Sequence, residues 1–156
     1  MTIDPTQVPL LMRREIEAAM AAPFIQSLID ELGREKALAK VRDIVQNMAR
    51  QSGAQLAVVM GGNSLAHFKD SLKFWSQDQA LEMEVLEQTD RTLAFNVTRC
   101  RYAEMYQELG LAEFGGCLSC DRDFALAEGF NPKLSLTRTK TILAGDEVCN
   151  FRYTME

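Results

Sequence analysis

The stretch Gly116 to Pro132, GCLSCDRDFALAEGFNP, brings two of the four cysteines, Cys117 and Cys120, next to the carboxylates of Asp121 and Asp123. Read as one short helix, it lays Cys117, Cys120 and Phe124 roughly along one stripe, with Asp123 on an adjoining face. A thiol attacks as its thiolate, which a helix N-terminus or a nearby cation favours, and both cysteines would stand in the first turns of this helix. Arg122, Arg99, Arg101 and Arg138 are the candidate cations, and Asp123 supplies a carboxylate for general-base work. Gly129 before Asn131-Pro132 marks the stop. The plain alternative is that these cysteines are small buried hydrophobes and that Asp at a helix start complements the dipole.

Two more polar side chains fall on faces that should be covered. Arg138 is in register with Leu134 and Leu136 on an alternating stretch. If that face is covered, a guanidinium points inward and needs a carboxylate from the protein or a ligand. Lys140 on the same face supports the opposite view, a strand emerging at an exposed edge. Cys149 lines up with Phe151 and Tyr153 on a core face, where packing alone would explain it. Cys117-x-x-Cys120 together with Cys100 and Cys149 would be enough thiols for a tetrahedral zinc site. Against that, zinc ribbons carry their CxxC pairs on knuckle turns, and here a single pair lies on a helical pattern. A redox CxxC of the thioredoxin kind lacks its preceding strand. His67 is the one histidine, beside the apolar face of a helix, where a surface or satisfied polar residue is the usual occupant.

These residues need elements to hold them. After an irregular start at Asp4-Pro5-Thr6 and Pro9, the apolar residues Leu11, Ile16, Met20, Phe24, Leu28 and Leu32 recur at helical intervals. Pro23 should kink this helix or begin a second one, and Gly33 ends it. Arg34 to Arg50 is an amphipathic helix with Leu38, Val41, Ile44, Val45 and Met48 as its stripe. Ala54 to Met60 reads as a further short helix, with a strand as the alternative, ended by Gly61-Gly62. Asn63 or Ser64 caps the next helix, which carries Leu65, Phe68, Leu72 and Trp75 on one face.

The period then changes. Leu81 to Leu86 and Thr92 to Thr98 alternate on either side of Thr89-Asp90-Arg91, a hairpin pattern. Arg99 to Gly110 returns to helix, with Tyr102, Met105, Tyr106 and Leu109 inward, and leads to the cysteine-bearing helix. Leu134 to Ile142 and Val148 to Tyr153 form a second hairpin around Ala144-Gly145-Asp146. The expected class is α+β: an antiparallel sheet of about four strands, in two hairpins, covered by helices. A single domain is expected, with residues 1–76 mainly helical and residues 77–156 holding the sheet and the cysteine helix.

A chain of 156 residues, 47% hydrophobic and 25% charged, can bury a core without staples. A net charge of -5 argues against nucleic acid or an anionic membrane surface as the main partner. The opening MTIDPTQVPLLMRRE has an acid before any base and only a short apolar run, so no secretory signal is expected. No run approaches the ~20 apolar residues of a membrane span. The cysteines then point to thiols or metal ligands in a reducing, cytoplasmic compartment rather than to structural disulfides. The expected partner is a small-molecule substrate, with a homo-oligomer left open; no cofactor is called for.

Several separated blocks carry a resemblance. They are Asn96-Val-Thr-Arg-Cys100-Arg-Tyr-Ala-Glu104-Met-Tyr106, Leu118-Ser-Cys120-Asp-Arg-Asp123 and Glu128-Gly-Phe-Asn131-Pro-Lys-Leu, followed by Thr137-Arg138-Thr139, Gly145 and Cys149-Asn-Phe151-Arg-Tyr153. In this order they resemble the L-2-amino-thiazoline-4-carboxylic acid hydrolase family, closely from Asn96 to Tyr153 and in general pattern before it. The resemblance implies a small bacterial hydrolase that opens the thiazoline ring to N-carbamoyl-L-cysteine, on the way to L-cysteine. Carried onto these residues, Cys120 would attack the amidine-like C2 or orient a water that does, with Asp123 as general base or orienting group. Glu104 or Asp123 would hold the cationic amidine, and Arg138 would clamp the carboxylate. Cys100 and Cys149 would line the pocket, with Tyr102 and Tyr153 as polar-tipped walls.

Two other classes stay open: a non-catalytic domain that senses an amino-acid-like or thiol compound, and a metal-dependent hydrolase with cysteine ligands. A thiol, a carboxylate and an arginine converging on one void would favour catalysis. An apolar void with dispersed thiols would favour binding.

Overall fold

The structure, a computed structural model, describes residues 7–156. The irregular start expected at Asp4-Pro5-Thr6 lies outside them. Helix α1 (Leu10–Leu32) continues through Pro23 instead of ending there. The proline removes the N–H that would serve the carbonyl of Ala19, and both residues are exposed, so water can solvate the freed oxygen. Three residues of the apolar stripe expected on α1 are turned away from the core. Ile16, Met20 and Phe24 are 62%, 65% and 62% exposed, whereas Ala18 and Ile25 are buried, with Leu11 and Leu28 packed beside them.

Gly33 separates α1 from α2 (Arg34–Met60), a single helix of 27 residues, so Ala54 to Met60 is its last part rather than a separate segment. On α2 as on α1, two residues of the expected stripe, Ile44 and Met48, are exposed. Gly53 does not interrupt the helix because its lack of a side chain answers a contact elsewhere. A Cβ there would lie 2.2 Å from the carbonyl oxygen of Leu126, and one at Gly129 would lie 2.0 Å from that of Arg50. The paired glycines let α2 cross α6 (Arg122–Phe130) backbone against backbone, with Arg50 Nε reaching Glu128 Oε2 at 2.8 Å beside the crossing.

In an ordinary exposed helix, Gly→Ala stabilises by about 1 kcal/mol. At this crossing Gly129→Ala is expected to destabilise by about 1–3 kcal/mol or more, since backbone atoms cannot swing aside as a side chain can. Urea denaturation reads the sign directly. A variant as stable as the parent would deny the close approach.

Helix α3 (Leu65–Trp75) starts on Ser64, whose Oγ accepts the His67 N–H at 3.3 Å and lies 2.6 Å from His67 Nδ1. The imidazole is thus engaged at the helix cap, with its ring against Gly62. The sheet follows as β1 (Leu81–Gln88), β2 (Thr92–Cys100), β3 (Leu134–Thr137) and β4 (Cys149–Met155). It is antiparallel in the order β1-β2-β4-β3, so the two hairpins join through β2 and β4, with Phe95 opposite Phe151 and Leu93 opposite Tyr153. The fold is α+β, with a helical N-terminal half. Period-two alternation places Leu93, Phe95 and Val97 of β2 and Cys149, Phe151 and Tyr153 of β4 on one face. That face packs on Ala49 of α2, Phe68 and Leu72 of α3, and Leu126 and Phe130 of α6.

The second hairpin departs from its sequence pattern. Its first strand ends at Thr137, so Arg138, Lys140 and Ile142 do not share a strand face with Leu134 and Leu136. The Asn150 side chain takes over from the ladder: its Oδ1 accepts the N–H groups of Thr139 and Lys140 at 3.0 and 2.7 Å. Asp146 then accepts from Thr141, and a 3₁₀ turn follows at Ile142–Ala144. Such local side-chain acceptors offer the backbone an alternative to strand pairing. At the other junction β2 runs to Cys100 and α4 (Arg101–Glu108) begins there, capped by the Cys100 sulfur, which accepts from Ala103 N–H at 3.4 Å. Leu109, expected inward, is 40% exposed. Among the described residues no helix is long and apolar enough to cross a membrane.

Candidate functional site

A local irregularity sets the site. Between α5 (Ala112–Gly115) and α6, residues Gly116–Cys120 form a turn of π-helix, closed by Asp121 N–H donating to the Gly116 carbonyl at 2.8 Å. The wider turn spreads residues three apart further round the axis than an α-helix does, so Cys117 and Cys120 do not share a stripe. Cys117 packs with Ile25, Val41, Val45 and Phe114 between α1 and α2, its sulfur 3.5 Å from Arg42 Nη2. Cys120 faces a cavity instead.

That cavity has a volume of about 100 Å³ and lies where the covered face of the sheet meets α1, α3, α4 and α6. An apolar cavity of about 150 Å³ suffices to take up benzene, so a small molecule is the scale of ligand it suits. Cys120, Asp123, Arg138, Cys100, Cys149 and Tyr102 all line it, with Arg14, Trp75, Ser119 and Arg122 in the same wall. A second hollow of about 280 Å³ adjoins it and shares Leu10, Arg14, Trp75, Arg122 and Leu126.

Arg138 is the anchor of the polar side. Its side chain is 4% exposed, and both of its terminal nitrogens find an acceptor on the protein. Nη1 donates to Asp123 Oδ2 at 2.5 Å and Nη2 to the Cys120 carbonyl at 2.8 Å. The guanidinium lies 5.0 Å from the Phe124 ring centroid and 5.1 Å from that of Phe151, a cation between two aromatic faces. The early end of β3 makes this possible, because the chain leaves the sheet one residue before Arg138. Asp123 keeps 23% of its side chain accessible, opening on the cavity.

Electrostatics correct the expectation of an activated thiol. Burial pushes Cys120 up to about 12, the Asp123 charge adds to this, and Arg138 only partly opposes them. Burial likewise takes Cys100 to about 11. It also raises Cys149, although Ile142 N–H donates to that sulfur at 3.2 Å. Cys120 sits before α6 rather than in its first turn, so no helix terminus counters the desolvation. At neutral pH the cavity therefore holds thiols, not thiolates. Burial also raises the Asp123 carboxyl above its ordinary range, with Arg138 pulling the other way.

Two of the expected wall residues lie elsewhere. Glu104 is on the outside of α4, where Arg99 Nε and Nη2 donate to its carboxylate at 2.8 and 3.3 Å, and it takes no part in the cavity wall. The local five-residue separation to Arg99 decides this, since an exposed guanidinium on the preceding strand reaches it before any ligand could. Tyr153 is fully buried in the sheet core, stacked with Phe95 and Phe151 and tilted against Phe68. Its hydroxyl has no partner among the described residues. Tyr102 does line the cavity, but its hydroxyl donates to the Trp75 carbonyl at 3.0 Å.

The zinc arrangement of four thiols does not assemble, because Cys117 lies apart from the other three. All four cysteines are free, and among the described residues no group of three or more His, Cys, Asp or Glu is placed to hold a metal ion. Arg14, Trp75 and Ser119 were not picked out from the sequence. Arg14 shares a face of α1 with Leu10 and Ala18 at helical spacing, and it is the burial of Ala18, 1% exposed, that marks this face as inward.

Comparison with known proteins agrees with this architecture. The model of the L-2-amino-thiazoline-4-carboxylic acid hydrolase family matches residues 13–153. No curated protein matches the sequence. Among solved structures the fold is similar to trafficking protein particle complex subunit 3 from Naegleria fowleri covalently bound to palmitic acid. That likeness has a TM-score of 0.58 at 9% identity, over 93% of this chain and 96% of that one. It is also similar to the phenol-responsive sensory domain of the transcription activator PoxR with phenol, with a TM-score of 0.56 at 15% identity, over 88% of this chain and 73% of that one. Identities this low speak for the fold alone. The family match spans α1 through β4 and includes the whole cavity wall except Leu10, and so the chain belongs to the L-2-amino-thiazoline-4-carboxylic acid hydrolase family.

Proposed function

We propose that the chain hydrolyses a small cyclic amidine of the type of L-2-amino-thiazoline-4-carboxylate, giving N-carbamoyl-L-cysteine. The observation that supports this most is the meeting of Cys120, Asp123 and Arg138 on one small cavity that Cys100 and Cys149 also line. Asp123 is the base on this reading, held by Arg138 at one oxygen while its burial keeps the carboxyl's proton affinity above the usual range. Water adds to C2 of the ring, and Asp123 carries one of its protons to the ring nitrogen. The tetrahedral intermediate then collapses. The C2–S bond breaks with its electron pair on sulfur, and Asp123 carries the hydroxyl proton to that sulfur, leaving a ureido carbonyl and a free thiol. One water is consumed and no redox partner is needed.

Cys120 serves here as a neutral thiol that positions the water. With its pKa raised to about 12, forming the thiolate at neutral pH costs on the order of several kcal/mol before attack begins. Cys120→Ala is accordingly expected to keep measurable turnover, and complete loss in a folded variant would move the attack onto sulfur. The test of the activity itself is incubation with a panel of cyclic amidines, following ring opening by mass spectrometry and release of free thiol. Binding of the same compounds without ring opening would instead support a non-catalytic ligand-binding domain. That second reading draws on the thiol-rich, largely apolar wall and on the two structural relatives, which by their descriptions carry phenol and palmitic acid.

A further inference from the structure

Positive charge at the cavity exceeds the negative charge available to it within the described residues. Arg138 is paired with Asp123, and Arg14 with Glu17. Arg122 lines both the cavity and the adjoining hollow together with Arg14, and none of the described residues accepts a hydrogen bond from its guanidinium. Nearby, on the wall of the adjoining hollow, the Nε of Arg13 is buried and has no acceptor among the described residues either. The Arg122 side chain is half-buried on the walls of both hollows, so its donors face the space a ligand would occupy. Burial and the charge of Arg14 draw Arg122 down to about 10, which still leaves it protonated at neutral pH. Arg138, by contrast, already donates from both terminal nitrogens, to Asp123 and to the Cys120 carbonyl, and lies between the Phe124 and Phe151 rings, so less of it is open to a ligand than of Arg122.

We infer that Arg122, with Arg14 beside it, seats the carboxylate of the ligand, and that the cavity selects small molecules with an anionic group at one end. Arg122 and Asp123 are consecutive, with their Cα atoms about 3.8 Å apart across one peptide bond. One turn of chain therefore presents a cation and a carboxylate to the same small space, which matches a ligand carrying a carboxylate and a basic amidine a few bonds apart. The amidine end of this description rests on the hydrolase reading above. The carboxylate end does not.

The test compares L-2-amino-thiazoline-4-carboxylate with 2-amino-2-thiazoline, the same ring without the carboxylate, on the parent, Arg122→Met and Arg122→Lys proteins. Affinity is read as a calorimetric Kd, and ring opening is followed in parallel. The parent is expected to bind the carboxylate-bearing compound at least tenfold more tightly. Arg122→Met should weaken that compound by about 10–100-fold, the span of a charged hydrogen bond, and leave the other unchanged. Arg122→Lys should recover part of the loss, because it keeps the charge but not the two-pronged fork. Equal affinity of the parent for both compounds, no binding of either, or an undiminished preference in Arg122→Met would overturn the assignment. If Arg122→Met does not fold, the parent's preference and the Arg122→Lys value decide it by themselves. An Arg122-dependent preference without ring opening would sink the hydrolase reading and keep the carboxylate seat. Ring opening of both compounds without dependence on Arg122 would do the reverse.

Discussion

Asp123→Asn is expected to lower kcat/KM for ring opening by about 10²–10⁴-fold, the usual contribution of a positioned acid–base group. Asparagine keeps the shape and can still accept the Arg138 bond through its carbonyl oxygen, so the fold is retained while the proton acceptor is lost. The parent protein should carry a further signature. Its base must be ionised, and burial places the Asp123 carboxyl above the ordinary carboxylate value of about 3.9. Activity of the parent should thus climb as pH rises through that raised pKa and be lost below it. The limb should disappear in the residual activity of Asp123→Asn. A pH profile of kcat/KM, with melting curves on both proteins, provides the check. A variant within a few-fold of the parent at every pH would remove Asp123 from the chemistry.

Arg138→Met is expected to cost about 3–5 kcal/mol of stability at neutral pH, with a fall in Tm of about 10 °C. The mutation strips the counter-charge from a carboxylate in a small, mainly apolar cavity and leaves the Cys120 carbonyl without its donor. It also removes the cation held between Phe124 and Phe151. The loss should shrink in acid. Without Arg138 the influence that lowers Asp123 is gone, so the carboxyl takes up its proton at a higher pH and stops needing a partner. For the same reason the double variant Asp123→Asn, Arg138→Met should be less destabilised than the sum of the single changes. Denaturation of the set at two pH values measures both effects. Strict additivity at neutral pH would show that the ion pair contributes little to the fold.

The strands were legible because alternation is a local property. Leu93, Phe95 and Val97, and Cys149, Phe151 and Tyr153, fall on the buried face that their period assigns them. The Ser64 cap and the hairpin from β1 to β2 were legible for the same reason. Other boundaries depend on residues far along the chain. Gly53 sits inside a helix because Gly129 meets it across a crossing, and β3 stops at Thr137 because Asn150 supplies the next acceptor. The shared stripe expected for Cys117 and Cys120 failed on a turn closed one residue wider than an α-helix. The inward face of α1 was misjudged because Ile16, Met20 and Phe24 are as apolar as the residues that are buried.

Composition and spacing by themselves determined the α+β class, the strand faces, and the residues able to do chemistry: the thiols, Asp123 and the arginines. Tertiary structure alone decided which of these meet and in what protonation state. Cys117 turned to another core, Glu104 was held outside by Arg99, and Arg138 was committed to Asp123, while Arg122 has no acceptor among the described residues. The physical reason is that a side chain's proton affinity and its freedom to bind depend on desolvation and on charges a few ångströms away. In a packed chain those charges come from elements distant in sequence.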